Sequence, residues 1–322
     1  MPDTNRSVIT NEVDVFYSKD LLVRVQPLLI HTKWAQIRDI PQNSGTKTIR
    51  FRRYGNLAAA MTPLQDGITP VGNVLAKTDL EATIAYYGDW IQLTDQVIFE
   101  TMDPILSETN SILADQAADT IDQLCRDVMN AGTGVTYTGG GHTQTSDITA
   151  SDKLTEANID ATVLLFKNNK CRKVTSMVDA NTGFNTTPLN AAYIGIIHPN
   201  SSATLKGFTN FVPVEKYPSG TNRMEGEIGQ YGEVRWIETS NAKIFVGAGA
   251  AGIDVYSTLI FGMNAYGTTR LGGKALETIS KGLGSAGASD PLNQRQTLAW
   301  KGTFVAKILN DDFIYRIEHA KA

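Results

Sequence analysis

The longest regular segment of the 322-residue chain is 103–130, DPILSETNSILADQAADTIDQLCRDVMN. Asp103 followed by Pro104 is typical of a helix start, because aspartate caps free backbone N–H groups and proline fits the first helical position. Apolar side chains then recur at helical spacing, and Asn130-Ala131-Gly132 ends the pattern. This apolar stripe consists of Ile105, Ile112, Leu113, Ala117, Ile121, Leu124 and Val128. At about 1.5 Å per residue, the segment predicts a helical rod of roughly 40 Å.

Two segments of alternating polarity precede this helix. Residues 46–54 carry Arg50 and Arg52 on one face, and residues 74–87 return with Leu80 and Ala82 on alternate positions. A segment rich in Gly and Pro, 55–72, separates them. The pattern predicts a long two-stranded arm with an irregular tip. This arm must lie on another surface, because an isolated hairpin is only marginally stable in water.

The remaining segments mix helical and strand patterns. Residues 12–40 show helical spacing in patches interrupted by Pro27, which predicts a broken helix or an extended arm. Downstream, helices are predicted over 155–167 and 201–208, and strands over 193–197, 233–238 and 242–246. The chain is predicted to close with a hairpin of 297–309 and 313–318, turned by Asn310-Asp311-Asp312.

Composition excludes several classes of protein. Lys and Arg number 29 and Asp and Glu 33, so the net charge is −4, and 42% of residues are hydrophobic. Such a chain has too many apolar residues to be disordered and no basic surplus for coating nucleic acid. No apolar leader is visible, and the longest apolar run, Ile244 to Ile253, is too short to span a membrane. We therefore expect a soluble protein made in a reducing compartment and retained in the cell.

Only one segment matches a cofactor motif. Gly247-Ala248-Gly249-Ala250-Ala251-Gly252 has the GxGxxG spacing of a dinucleotide-binding loop and follows the apolar segment 242–246. The next residues, 253–260, are β-branched and aromatic rather than helix-forming, and no acidic residue lies about 20 positions on. We predict that these glycines are structural and that the protein has no cofactor.

Other chemistry-bearing residues are isolated. The four histidines are scattered singly, so a metal site is unsupported, and His198 is predicted to be a hydrogen-bonded turn residue. Cys125 and Cys171 are predicted to be buried and inert. We expect no catalytic, cofactor-binding or metal-binding residues.

Charge is segregated along the chain. Residues 100–127 contain seven acidic residues and only Arg126, whereas residues 33–53 contain six basic residues and only Asp39. Such runs are usually solvated faces. A basic arm that cannot stand alone and an acidic helix can also bind each other, within one subunit or between copies.

The order of these segments resembles the major capsid proteins of tailed bacteriophages, the HK-97 fold. The resemblance rests on 45–100, 103–130, 193–206, 226–246, 256–272 and 297–318. It implies an α+β fold with an N-terminal arm over 1–45, an E-loop hairpin over 46–87, a peripheral domain over 88–150 and 291–322 that contains the spine helix 103–130, and an axial domain over 151–290.

The resemblance also implies a structural, non-enzymatic role. Copies would form hexamers and pentamers that close into an icosahedral shell enclosing phage double-stranded DNA without sequence-specific binding or membrane contact. Assembly would take place in the bacterial host cytoplasm, with each E-loop lying over a neighbour's peripheral domain. A separate scaffolding protein is expected because only about 45 residues precede the hairpin, and a portal and a decoration protein are further partners in such assemblies.

Two residue-level predictions follow from this resemblance. Arg50, Arg52 and Arg53 of one subunit would pair with Asp115, Asp119 or Asp122 of the next. Some relatives cross-link covalently through an E-loop lysine, but residues 48–76 contain no lysine and Lys77 is the nearest. We therefore expect a shell without covalent cross-links.

Two other classes of function stay open from the sequence. One is a cytoplasmic nucleotide-binding enzyme built around Gly247–Gly252. The other is a nucleic-acid-binding module that uses the basic strand Lys47–Arg53 with the interleaved aromatic residues Phe51 and Tyr54.

Overall fold

The computed structural model describes the chain from residue 29 onwards, with short gaps. The described residues are 29–41, 46–55, 57–63, 66–67, 69, 71–102, 105–177, 188–218, 223–271, 276–286 and 289–322. The predicted cap Asp103-Pro104 and the predicted arm before residue 29 therefore lie outside the described residues.

Three β-sheets and a long helix organise these residues. The first half supplies β1 (Gln36–Ile40), β2 (Thr48–Tyr54), β3 (Lys77–Thr83), β4 (Ala85–Thr94), α1 (Asp95–Glu100), α2 (Ile105–Asn130), β5 (Val135–Tyr137) and α3 (Glu156–Asn168). The second half supplies β6 (Tyr193–Ile197), α4 (Pro199–Lys206), β7 (Phe211–Pro213), β8 (Glu227–Tyr231), β9 (Val234–Glu238), β10 (Ile244–Phe245), β11 (Val255–Phe261), β12 (Tyr266–Leu271), β13 (Leu276–Lys281), β14 (Arg295–Ile308) and β15 (Ile314–His319).

The largest sheet has eight strands in the order β5-β15-β11-β6-β9-β8-β7, with β10 paired to β11. All five residues of β6 are buried, which explains its unbroken apolar sequence. Ile194 and Ile196 pack with Met129 of α2, whereas Tyr193 packs on the opposite side with Phe166 of α3. The sheet therefore has a helix on each face.

The five-stranded sheet is built around the long strand β14. One end of β14 pairs with β12, which pairs in parallel with β1, and the other end lies between β13 and β4. Leu113 and Ala117 of α2 pack on Leu298 and Trp300 of β14. Since the C-terminal half of α2 packs on the eight-stranded sheet, one helix joins both sheets.

Several sequence predictions hold at the level of elements. The helix predicted over 103–130 is observed as α2, and the shorter helices appear as α3 and α4. The stripe on α2 is only partly as predicted: Leu113 and Ala117 are buried, Ile112 is exposed, and Asp122, Cys125 and Met129 lie on the buried face. The difference arises because the two halves of the helix pack against different sheets.

The predicted hairpin at the end of the chain is wrong. The chain does not close with a hairpin: β14 and β15 lie in different sheets, joined by a 3₁₀ turn at Asp311–Phe313. Residues 12–40 were predicted to form a broken helix or an extended arm, and the strand β1 over residues 36–40 agrees with the extended alternative. The predicted strand 242–246 is also reduced to the two residues of β10. Because β13 and β15 each pair across the predicted boundary at residue 291, the sheets do not follow the predicted domain division.

His319, the buried last residue of β15, makes the stability of the subunit depend on pH. Its ring is buried, with Nε2 2.8 Å from the Thr258 hydroxyl and Nδ1 2.7 Å from the Ala320 carbonyl oxygen. This arrangement suits a neutral ring that donates from Nδ1. Burial lowers the pKa of His319 to about 4.

We expect the free energy of unfolding to fall as the pH drops from about 6.5 towards 4. In that window the unfolded chain binds a proton that the buried ring of His319 excludes, so the contribution of the neutral ring is complete only above pH 6.5. Urea unfolding at several pH values checks this. His319→Gln, which cannot titrate, should lose less stability over the same window, and an identical slope for both proteins would contradict the assignment.

Candidate assembly surfaces

The basic strand pairs with its own return strand. In the hairpin of β2 and β3, Arg50 lies opposite Glu81 and Arg52 opposite Asp79. Arg50 Nε lies 2.5 Å from Glu81 Oε1, and Arg52 Nε lies 3.8 Å from Asp79 Oδ1. A hydrogen bond from Lys77 contributes most to lowering the pKa of Asp79. The charges of Arg50 and Arg52, predicted to face a neighbour, are thus matched inside the hairpin.

The third predicted arginine is placed differently. Arg53 Nη1 donates to the side-chain oxygen of Asn310, in the turn between β14 and β15. Asn310 carries no charge, and within the described residues Arg53 makes no ion pair with a carboxylate. The contact fixes the base of the hairpin to the body of the subunit.

Among its described residues, the hairpin packs on the subunit only at its base. Phe51, Ala82 and Ile84 are buried there. The tip, defined as residues 55–76, is exposed at every described position. Its large apolar side chains include Met61, Val71 and Val74, which are 87%, 97% and 89% exposed. This is the part of the arm that the sequence predicts to need a second surface.

Of the predicted acidic residues on α2, Asp122 is not at the surface. It is 1% exposed, and its two oxygens lie 2.8 Å from the backbone nitrogen and ring Nδ1 of His31, which is itself fully buried. The prediction that Asp122 pairs with a neighbouring subunit is therefore wrong, because its carboxylate is a core residue that fixes the segment before β1 to α2.

The other two predicted acids stay partly accessible. Asp119 accepts hydrogen bonds of 2.7 Å from both Asn241 and Gln123. Asp115 is half-buried and has no hydrogen-bond or ion-pair partner among the residues that the structure describes. The structure thus brings none of the three arginines together with the three acids within one subunit.

An exposed aromatic face, which the sequence analysis did not single out, lies on the five-stranded sheet opposite α2. Trp90 of β4 pairs with Ala299 of β14, which pairs with Ile279 of β13, so the three form an apolar row. Trp90 is 52% exposed. Nearby, Tyr86 has the ammonium groups of Lys47 and Lys301 at 5.4 and 5.3 Å from its ring. We call this surface, Tyr86, Trp90, Ile279, Ala299 and Lys301, the Trp90 face. Its only sequence signal was the alternation in β4.

The glycine-rich motif does not form a nucleotide site. Ala250–Gly252 form a 3₁₀ turn, and Gly247 and Gly252 have positive φ angles of 64° and 76°. The next element is the fully buried strand β11 rather than a helix whose N-terminus could bind pyrophosphate. The prediction that these glycines are structural is confirmed.

The two cysteines and His198 have the burial and hydrogen bonds of residues that stabilise the fold. Burial, with the charge of Asp122, raises the pKa of the Cys125 thiol, and burial raises the pKa of Cys171 to about 12. His198 Nδ1 accepts a 3.0 Å hydrogen bond from the Asn200 N–H at the start of α4, and burial lowers its pKa. The predicted burial of both cysteines and the predicted hydrogen bond of His198 at a turn are confirmed. In the described parts of the chain, no cluster of His, Cys, Asp or Glu could hold a metal, and no helix could cross a membrane.

Comparison with known proteins gives a consistent result. A family model described as phage capsid protein matches residues 77–317. The capsid of Ralstonia phage GP4 aligns with a TM-score of 0.71 at 13% identity, covering 97% of this chain and 96% of that one. The cyanophage P-SCSP1u capsid gives 0.66 at 15% identity, covering 97% and 94%. The head structure of Helicobacter pylori bacteriophage KHP40 gives 0.64 at 10% identity, covering 100% and 98%. No curated protein sequence shows significant similarity to the chain.

Proposed function

This chain belongs to the phage capsid protein family, and we propose that its copies form hexamers and pentamers which close into an icosahedral shell around phage double-stranded DNA. The HK-97-type α+β fold predicted from the sequence is confirmed, as is the role of a shell-forming component of the virion capsid. The two alternatives, a nucleotide-binding enzyme and a nucleic-acid-binding module, are not supported.

The observation that carries the proposal is the exposed apolar tip of the hairpin. A tip whose described residues are all exposed, and whose sequence has Asp66 as its only charged residue, requires a covering surface. The Trp90 face offers an apolar row of matching character on another copy. A tip on one copy and a face on the next make a head-to-tail contact, which closes rings when the rotation allows.

Two features adapt the subunit to this contact. Ion pairs across β2 and β3 hold the hairpin in register, although exposed pairs contribute only about 0–1 kcal/mol each. Lys301 of the Trp90 face and the adjacent Lys281 can bind Asp66 of the incoming tip. Assembly in the host cytoplasm, a separate scaffolding protein, a portal and a decoration protein belong to the same proposal and rest on the family resemblance alone.

Electron microscopy of the full-length protein, expressed alone and with a candidate scaffolding protein, tests the proposal. We expect closed shells, tubes or isolated capsomers. A compact monomer that forms no larger assembly under either condition would contradict it.

The mature shell should contain no covalent links between subunits. The hairpin has no lysine between residues 48 and 76, so the amine for an isopeptide bond is missing there. Boiled, reduced shells should run on a denaturing gel as one band near 35.0 kDa. A ladder of dimers, trimers and larger species would show that another lysine, with Lys77 the first to test, forms such a bond.

A further inference from the structure

One edge of the five-stranded sheet is open among the residues that the structure describes. Strand β13, Leu276–Lys281, pairs with β14 on one side, and on its other side none of its backbone groups bonds to a described residue. Five of its six residues are exposed, and Ile279 is half-buried. An open edge is a template for a further strand, and proteins often block it with proline or a bulge. β13 contains neither.

The side chains of β13 divide between the two faces of the sheet. Its odd-numbered residues lie on the side that carries Trp90, and its even-numbered residues lie on the α2 side. The first group is Glu277, Ile279 and Lys281, and the second is Leu276, Thr278 and Ser280. Glu277 and Lys281 are exposed and make no ion pair or hydrogen bond with any described residue. The open edge therefore carries one unmatched charge of each sign on the same side as Ile279.

A closed shell restricts how two copies can meet through this edge. Every copy keeps the same face outwards, so two β13 strands that meet edge to edge are related by a two-fold axis perpendicular to the sheet and run antiparallel. Side chains directly opposite each other in an antiparallel pair point to the same face. Odd-numbered residues of one copy must therefore lie opposite odd-numbered residues of the other.

One of the remaining registers matches the side chains. When Ile279 lies opposite Ile279 of a second copy, Glu277 lies opposite Lys281. On the other face, Thr278 then lies opposite Ser280. A shift of two residues in either direction instead sets a charged residue, Glu277 or Lys281, opposite Ile279. The strand is thus complementary to itself in this register.

We propose that β13 of one copy pairs antiparallel with β13 of a second copy across a two-fold axis at Ile279. The pairing joins the strands β4, β14 and β13 of both copies into one continuous sheet and gains about four backbone hydrogen bonds. It also forms an ion pair between Glu277 and Lys281 on each side of the axis. Such exposed pairs select the register more than they add strength.

This inference rests on the proposed shell function and adds a second kind of contact to it. The contact of the hairpin tip with the Trp90 face is head-to-tail and closes rings, whereas a two-fold contact uses the same surface on both copies and joins one ring to the next. Lys301 stays available to Asp66 of the incoming tip. A second copy is the favoured occupant of the edge because the strand matches its own sequence.

A disulfide across the axis tests the pairing. In the proposed register the two Ile279 Cα atoms are about 4.5–5.5 Å apart, within the range that a disulfide spans. Mildly oxidised shells of Ile279→Cys should therefore run mainly as dimers on a denaturing gel without reductant, and as monomers with it. Oxidised wild-type shells should stay monomeric on the same gel, because Cys125 and Cys171 are buried.

Lys281→Cys is the matched control on the same face of the same strand. Its two copies lie four residues apart along the paired strands, about 13 Å, which is too far for a disulfide. We expect less than one tenth of the dimer that Ile279→Cys forms. Equal amounts of dimer from both variants would overturn the register. If Ile279→Cys does not assemble, Thr278→Cys/Ser280→Cys, which face each other on the α2 side, replaces it.

Charge exchange tests the register without a cross-link. Glu277→Lys sets two lysines opposite each other on each side of the axis and should lower shell yield several-fold, with circular dichroism of the unassembled subunit unchanged. Glu277→Lys/Lys281→Glu has the wild-type composition and should recover most of the yield. Because Glu277 also lies opposite Lys301 of its own chain, an effect inside the subunit would persist in the exchanged variant. Such persistence would overturn the proposed pairing.

Failure of the pairing and failure of the proposed function give different results. Shells of Ile279→Cys that assemble and stay monomeric after oxidation would overturn the pairing and leave the shell function intact. A wild-type protein that forms no shells would contradict the proposed function itself, since cross-linking is scored only in assembled shells.

Discussion

Removing residues 57–75 should leave a folded subunit that no longer forms closed shells. The deletion joins Asn56 to Ala76, so Tyr54 and Lys77, which are paired in the hairpin, are connected by a three-residue turn that antiparallel strands accept. No described residue of the deleted segment is buried and the connecting loop becomes shorter, so the free energy of unfolding should not decrease.

The loss of assembly should be large because the tip holds most of the apolar surface that the arm offers. Burying one Met, Val or Leu side chain contributes about 1.5–3 kcal/mol, and the described part of the tip exposes five such side chains. They are Leu57, Met61, Val71, Val74 and Leu75. A closed ring repeats the contact between every pair of neighbours, so even a partial loss of binding free energy at each contact adds up over the ring. We expect closed shells to fall below one hundredth of the wild-type amount by sedimentation and microscopy.

Substitutions at Trp90 test the Trp90 face, the proposed binding surface for the tip, with a matched control. Trp90→Glu places a charge in the middle of the Trp90 face and should reduce shell yield in the same direction, whereas Trp90→Phe keeps an aromatic surface and should assemble. If the deletion variant forms shells of normal size and number, the tip is not a required contact. If Trp90→Glu assembles as the wild type does, the tip binds elsewhere.

Local patterns predicted the elements whose partners are near in sequence. Asp-Pro, helical spacing and Asn-Ala-Gly located α2, and alternation located β2 and β3 with their ends within a few residues. It was harder to predict which strands pair when they are far apart in the sequence. Nothing in the sequence of Ile314–His319 indicates that it pairs with β11 rather than β14, because both strands present apolar residues of similar shape.

The sequence predicted the charged residues of the candidate assembly surfaces, but it did not predict which of these residues pair with each other. The basic strand and the acidic helix are both present, but the register that sets Arg50 against Glu81 depends on where the hairpin turns. A count of charges between residues 33 and 53 could not include the acids of the return strand. Asp122 was assigned to the surface because it belongs to a run of acidic residues, and such a run is usually a solvated face; its buried partner His31 lies 91 positions away.

Asp122→Ala separates these two interpretations of the helix. If Asp122 were an interface residue, the variant subunit would be as stable as the wild type and would fail only in assembly. In the structure, the substitution leaves the backbone N–H and ring Nδ1 of His31 buried without their acceptor, and it frees Asn241 from a contact at 3.4 Å. Removing one member of a buried pair typically costs about 3–5 kcal/mol.

We therefore expect the free energy of unfolding of Asp122→Ala to fall by about 3 kcal/mol. The measurement is urea unfolding followed by tryptophan fluorescence, with variant and wild type compared in the same state of assembly. Asp115→Ala is the matched control, since it removes an aspartate from the same helix without a described partner and should change stability by less than about 0.5 kcal/mol. Equal stability of the two variants would contradict the assignment of Asp122 to the core. A large loss for Asp122 alone would establish that this carboxylate acts inside the subunit, where it fixes the segment before β1 to α2, and not at an interface.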